Sequence, residues 1–238
     1  MKWLSNQSID ELGNGLIKNY IGKQAGNEII VDIEGFATDY LKLPVVYCSF
    51  AEDDTSKLGF ISDGITPLSI IDKKRKIRKV FPKGTIVIEK CLWNETDSGR
   101  RRFTIAHEVS HYIMDKSIAA ASFHREYDRM RQYSGEDLKL LFNINEANVD
   151  RLAAALLLPE FMVKNYLKKH NCEKGISVYD DNFIRPEDNL FIQQMANDMG
   201  SSFSALQIRL RQLGLYVKKP MSEYLTELGF GKDEMRYE

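Results

Sequence analysis

The feature that most limits what this chain can fold into is the segment Phe103-Thr104-Ile105-Ala106-His107-Glu108-Val109-Ser110-His111-Tyr112-Ile113-Met114. It holds two histidines four residues apart. On an α-helix, positions i and i+4 lie one above the other, about 6 Å apart. Two imidazoles so placed can converge on one metal ion with bonds of about 2.0–2.1 Å. Ile105, Ala106, Val109, Ile113 and Met114 give the same helix an apolar face, so another layer must cover it. Glu108 follows the first histidine directly. It falls beside the metal position rather than on it, where it can take a proton from an attacking water. The chain has four histidines in all, and two of them fall at ligand spacing. The sharp reading is a zinc site; the bland one is a pair of structural histidines on a buried helix.

Zinc catalysis needs a third protein ligand and an open fourth position. The alanine-rich run from Asn145 to Pro159 offers one. Its small residues permit close helix packing, and Glu146 and Asp150 are four apart on one face. Glu146 is the expected third ligand. Asp150 is expected to accept a hydrogen bond from the far nitrogen of a ligating histidine. Two alternatives stand beside this. His124 could be the third ligand, or Glu146 and Asp150 could form a solvated face next to Arg151. His124, Tyr112 and Tyr127 are the candidates for a transition-state donor.

The remaining chain frames this site. Its 238 residues suffice for one large domain or two small ones. A net charge of −1 gives no global attraction to nucleic acid or an anionic membrane. Cys48, Cys91 and Cys172 are widely spaced, which fits a reducing compartment better than a disulfide scaffold. With no apolar leader and no apolar run of about 20 residues, a cytoplasmic location is expected.

Helical spacing predicts helices over 8–22, 32–41, 100–115, 144–158, 159–170, 189–199 and 203–213. Short β-rich runs occupy 45–47, 59–61, 68–71 and 85–88. Between two of these lies the basic run Lys73 to Lys79, read as a solvated hairpin or loop, or more sharply as a docking patch for an acidic partner. The fold class expected is α+β, with a small antiparallel sheet packed on helices.

Taken together, these residues resemble the ImmA/IrrE metallo-endopeptidases over roughly residues 30–160. Arg101 to His111 is similar to the family's RRFTLAHELGH. Glu146, Val149-Asp150 and Leu152 to Pro159 are similar to its ExxA(N/D)xFAAxLLMP, with Val149 replacing Ala and Leu152 replacing Phe. The gap from His111 to Glu146 is longer than in many relatives and suggests a lid or specificity insertion at about 117–140. The resemblance implies a zincin-like catalytic domain binding one Zn2+ per chain through His107, His111 and Glu146, with Glu108 as the base. It further implies a protein substrate, a helix-turn-helix repressor, cut to release a mobile element or a stress response. The rivals are a non-enzymatic zinc-containing regulator or DNA- or repressor-binding module, and the toxin of a toxin–antitoxin pair.

Residues 190–217 have the size of a helix-turn-helix unit around Gly200-Ser201-Ser202. Arg209 and Arg211 are its exposed basic candidates. Two arginines make a poor DNA footprint, so DNA contact is not expected. The expected organisation is a peptidase domain over 1–170, a linker over 171–188 and a C-terminal helical subdomain over 189–238.

Overall fold

The computed structural model describes residues 5–22, 29–52, 57–93, 98–117, 135–180 and 182–230. The protein is α+β. It divides into two compact units, Met1–Glu160 and Phe161–Glu238. That boundary falls ten residues before the expected end of the peptidase domain. The expected linker at 171–188 holds a β-strand, Ile176–Tyr179, so it is a folded part of the second unit.

In the first unit, α1 (Asn6–Ile21) starts where the Ser5 hydroxyl accepts from the Ser8 N–H at 3.0 Å. A short α2 (Ile33–Gly35) runs on as a wider turn over Phe36–Tyr40. Five strands follow: β1 (Val45–Phe50), β2 (Gly59–Ile61), β3 (Leu68–Asp72), β4 (Arg75–Lys79) and β5 (Ile86–Glu89). They form one sheet in the order β2-β5-β1-β3-β4. The expected antiparallel sheet is therefore mixed, because β1 and β5 run parallel while the other pairs are antiparallel. The basic run is a true strand. Lys73 and Lys74 take φ of 45° and 67°, a two-residue turn that pairs Asp72 with Arg75.

The two faces of the sheet have different neighbours. Val87 packs with Leu68, Ile70 and Phe81 on one face, flanked by Val46, Cys48, Phe50 and Phe60. Ile86 and Ile88 point the other way, as alternation along a strand requires. That second face, which also presents Gly59, meets α3 (Ser98–Ser117).

A long α4 (Gly135–Leu157) lies against both α3 and α1. Close approach of α1 is possible because Gly13 faces Ala155; a Cβ on Gly13 would come within 2.7 Å of the Ala155 Cβ. Arg151 ties α4 to α1 by pairing with Asp10 and donating to the Asn6 carbonyl at 3.2 Å. It is a structural anchor rather than a solvated neighbour of the acidic pair. Asn14 fixes the chain where α5 (Glu160–Lys169) begins, accepting from the Glu160 N–H at 2.8 Å.

The second unit contains β6 (Ile176–Tyr179), α6 (Pro186–Asp198), α7 (Phe203–Gln212), β7 (Tyr216–Lys219) and α8 (Met221–Glu227). β6 and β7 pair in parallel. Gly200, with φ of 63°, turns the chain between α6 and α7. Arg209 corrects a sequence expectation. It is fully buried among Leu206 and Leu210, and only Arg211 of the two arginines is exposed. Among the described residues, no helix is long and apolar enough to cross a membrane.

Candidate metal centre

α3 turns Ile105, Ala106, Val109, Ile113 and Met114 into the core, all at most 7% exposed. The 100° step of the helix then leaves His107 and His111 half-buried at one side. Their rings meet at 77° with centroids 4.7 Å apart, and the two Nε2 atoms are 3.0 Å from each other. The same arithmetic on α4 buries Val149 and Leu152 and turns Glu146 and Asp150 toward α3. Glu146 Oε2 lies 3.5 Å from His107 Nε2 and 3.7 Å from His111 Nε2. Asp150 Oδ1 lies 2.9 Å from His107 Nδ1.

These separations suit a bound ion. Tetrahedral bonds of about 2.0–2.1 Å place donor atoms about 3.3 Å apart. The three donor atoms form a triangle with sides of 3.0, 3.5 and 3.7 Å. Two imidazole nitrogens and one carboxylate are also a donor set suited to a divalent transition ion. Glu146 leaves 54% of its side chain exposed, so one side of the triangle is open to solvent. Asp150 accepts from the Nδ1–H of His107, which directs the Nε2 lone pair toward Glu146 and His111.

The electrostatics follow from the packing. Burial opposes a charge on His107, yet the hydrogen bond to Asp150 and the nearby carboxylates raise its pKa. For His111, burial and the neighbouring His107 outweigh the Glu146 and Asp150 carboxylates and lower the pKa.

Glu108 is 7% exposed. Burial pushes its pKa up to about 7, with Glu146 adding to the rise; His107 and the Ile61 N–H, which donates to the carboxylate, pull it down. The sheet explains this contact. Leu58 C=O and Ser62 N–H bond to β5, so the intervening Ile61 amide points away from β5, toward Glu108. Gly59 makes the approach possible. A Cβ there would lie 2.5 Å from Glu108 Oε1 and 2.8 Å from Thr104 Cγ2. Sequence reasoning missed Gly59 and Ile61. The available signal was a glycine inside a strand, which often marks close backbone approach.

Of the expected site residues, His107, His111, Glu146, Glu108 and Asp150 come together here. Tyr112 lies against Gly84 in the loop before β5. His124, Tyr127 and most of the expected insertion at 117–140 lie outside the described residues.

The family model for peptidase M78, described as the IrrE N-terminal-like domain, matches residues 38–211. The chain belongs to this family. The match covers most of the sequence, including α3, α4 and all five ligand-region residues. M78 is a metallopeptidase family, so the cluster of His107, His111 and Glu146 stands in an M78 protein as a candidate metal site. No curated protein matches the chain at a significant level.

Proposed function

We propose that this M78 protein is a zinc-dependent endopeptidase that acts in the cytoplasm on a protein substrate, a helix-turn-helix transcriptional repressor. Cutting it would relieve repression in a mobile element or a stress response. One observation carries the peptidase reading: a triangle of three metal-ligating atoms with a buried carboxylate beside it. A purely structural metal site has no use for that carboxylate. The repressor reading rests on the resemblance to ImmA/IrrE enzymes.

Bound zinc supplies a Lewis acid that polarises the scissile carbonyl and acidifies the attacking water. The protein's own groups do the rest. Glu108 takes the water's proton and returns it to the leaving amine, and a carboxyl near neutral pKa in the metal-free chain can pass a proton both ways. Ile61 and Gly59 hold that carboxylate in place. Asp150 holds His107 in the tautomer that a ligand requires.

The test is co-expression with each helix-turn-helix repressor encoded in the same genome. Substrate mass is followed for wild type and Glu108→Gln, with metal content measured on both. A single new cut made by wild type and lost in Glu108→Gln, with zinc in both proteins, is the expected result. No cut with a fully zinc-loaded chain and a bound repressor would favour the non-enzymatic regulator. A metal-free wild type would refute the site.

A further inference from the structure

At the far edge of the sheet from Glu108 lies a surface that the chemistry above does not use. β4 closes the strand order opposite β2, and all five of its residues are exposed. Six of the seven residues from Lys73 to Lys79 are Lys or Arg, in a chain whose net charge is −1. Charges on an edge strand commonly keep it from pairing with other chains. This edge departs from that use, because Ile71, Ile77 and Val80 remain 50%, 37% and 48% exposed among the cations.

Backbone register shows which groups the edge offers. Ser69 spends its main-chain groups toward β1: its C=O accepts from Ala51 N–H at 2.8 Å, and its N–H donates to Glu52 at 2.7 Å. Ser69 sits opposite Arg78. In an antiparallel ladder such a pair exchanges no hydrogen bonds, so the Arg78 N–H and C=O point outward from the edge. Side chains then alternate between the faces. Arg75, Ile77 and Lys79 share the face of Leu68 and Ile70, where Lys79 lies 4.8 Å over the Phe81 ring. Lys76 and Arg78 share the other face with Ile71.

We propose that β4 is a docking edge for an extended, acidic polypeptide segment, which adds to the sheet as a sixth strand. The side chains facing it read cation, cation, apolar, cation, cation from Arg75 to Lys79. The complementary segment is therefore two acidic residues, one β-branched residue and two more acidic residues. Nucleic acid fits less well. The hairpin Leu68–Lys79 has no aromatic side chain on which bases could stack, and Ile77 would face a phosphate backbone. Four strand spacings separate β4 from β2, about 19 Å at about 4.8 Å each. A protein docked here needs roughly six extended residues, at about 3.3 Å each, to bring a second segment to Glu108. That the docked protein is then cut rests on the endopeptidase reading; the docking does not.

The probe is a fluorescein-labelled peptide with the core Glu-Asp-Val-Asp-Glu between Gly-Ser flanks. Binding to the full chain is followed by anisotropy at low and high salt. Wild type should bind it and lose affinity as salt rises. A Lys-for-acid version of the peptide should not bind. Arg78→Glu, a solvent-exposed change that keeps the strand's backbone bonds, should weaken binding ten-fold or more with an unchanged circular dichroism spectrum. Two further probes carry N-methyl groups on alternate amides, in opposite phase. One phase should abolish binding, because it removes the amides that pair with the edge, and the other should bind nearly as well as the parent. Equal binding by both phases would overturn strand addition, as would unchanged affinity in Arg78→Glu. Tighter binding of a single-stranded oligonucleotide than of the peptide would replace the polypeptide with nucleic acid. The binding should survive metal chelation. If it does while co-expression of the zinc-loaded chain with a bound repressor yields no cut, the endopeptidase reading falls and the docking edge stands.

Discussion

Replacing Gly59 with Ala tests the geometry that holds the proposed base. The new methyl would lie 2.5 Å from Glu108 Oε1, 2.9 Å from Glu108 Cγ and 2.8 Å from Thr104 Cγ2. Carbon contacts are comfortable from about 3.5 Å, so roughly 1 Å must be found somewhere. Either the carboxylate swings away or β2 retreats and loses the bond from the Ile61 N–H. A displacement of about 1 Å at a catalytic group costs on the order of 100-fold in rate, or about 2–3 kcal/mol of transition-state stabilisation. The overpacking itself should cost about 1–3 kcal/mol of folding stability. The atoms nearest to that methyl belong to Glu108 and Thr104 rather than to His107, His111 or Glu146, so metal content should be retained. The assay is the cleavage rate of the co-expression substrate, with metal content and thermal unfolding measured on the same samples. The rate should fall through kcat with KM little changed. In a Glu108→Asp background the carboxylate is shorter, so Gly59→Ala should cost less than it does in wild type. A metal-loaded Gly59→Ala protein cutting within about two-fold of wild type would refute the contact as a positioning device.

Two more predictions concern charge. Glu108 has a folded pKa near 7, above its ordinary 4.5, so ionising it costs the metal-free fold stability as pH rises from 4.5 through 7. Glu108→Gln removes that cost, so above pH 7 the metal-free variant should be more stable by up to roughly 3 kcal/mol, with no gain below pH 4.5, as read by urea unfolding at several pH values. A gain that is flat across pH would show that the carboxyl is not perturbed. Asp150→Asn weakens the partner that orients His107, and zinc affinity should fall about 10–100-fold in competition with a chromophoric chelator. Unchanged affinity would remove Asp150 from the site.

The metal-ligand region was largely legible in the sequence because both of its helices obey local rules. Spacing of four puts His107 above His111 and Glu146 above Asp150, and the apolar residues between them state which way each helix must face. The small residues of the Asn145–Pro159 run likewise announce close packing, although not that Gly13 is what meets Ala155. For Arg75–Lys79 the sequence left a solvated hairpin and a loop open, and the structure chose the hairpin. The segment lacks the apolar–polar alternation that marks a half-buried strand, and it forms because a two-residue turn lays it against β3.

Tertiary structure alone decided the remaining features. Gly59 and Ile61 meet Glu108 across some fifty residues of sequence, and no local pattern encodes which helix an edge strand will cross. Arg209 has the helical position and charge of a surface residue, yet the packing of the second unit covers it completely. Periodicity in a sequence fixes the direction of a side chain within its own element. Which groups it meets there depends on how distant elements pack, and that packing put the Glu146 carboxylate beside two histidines and the main chain of a strand beside Glu108.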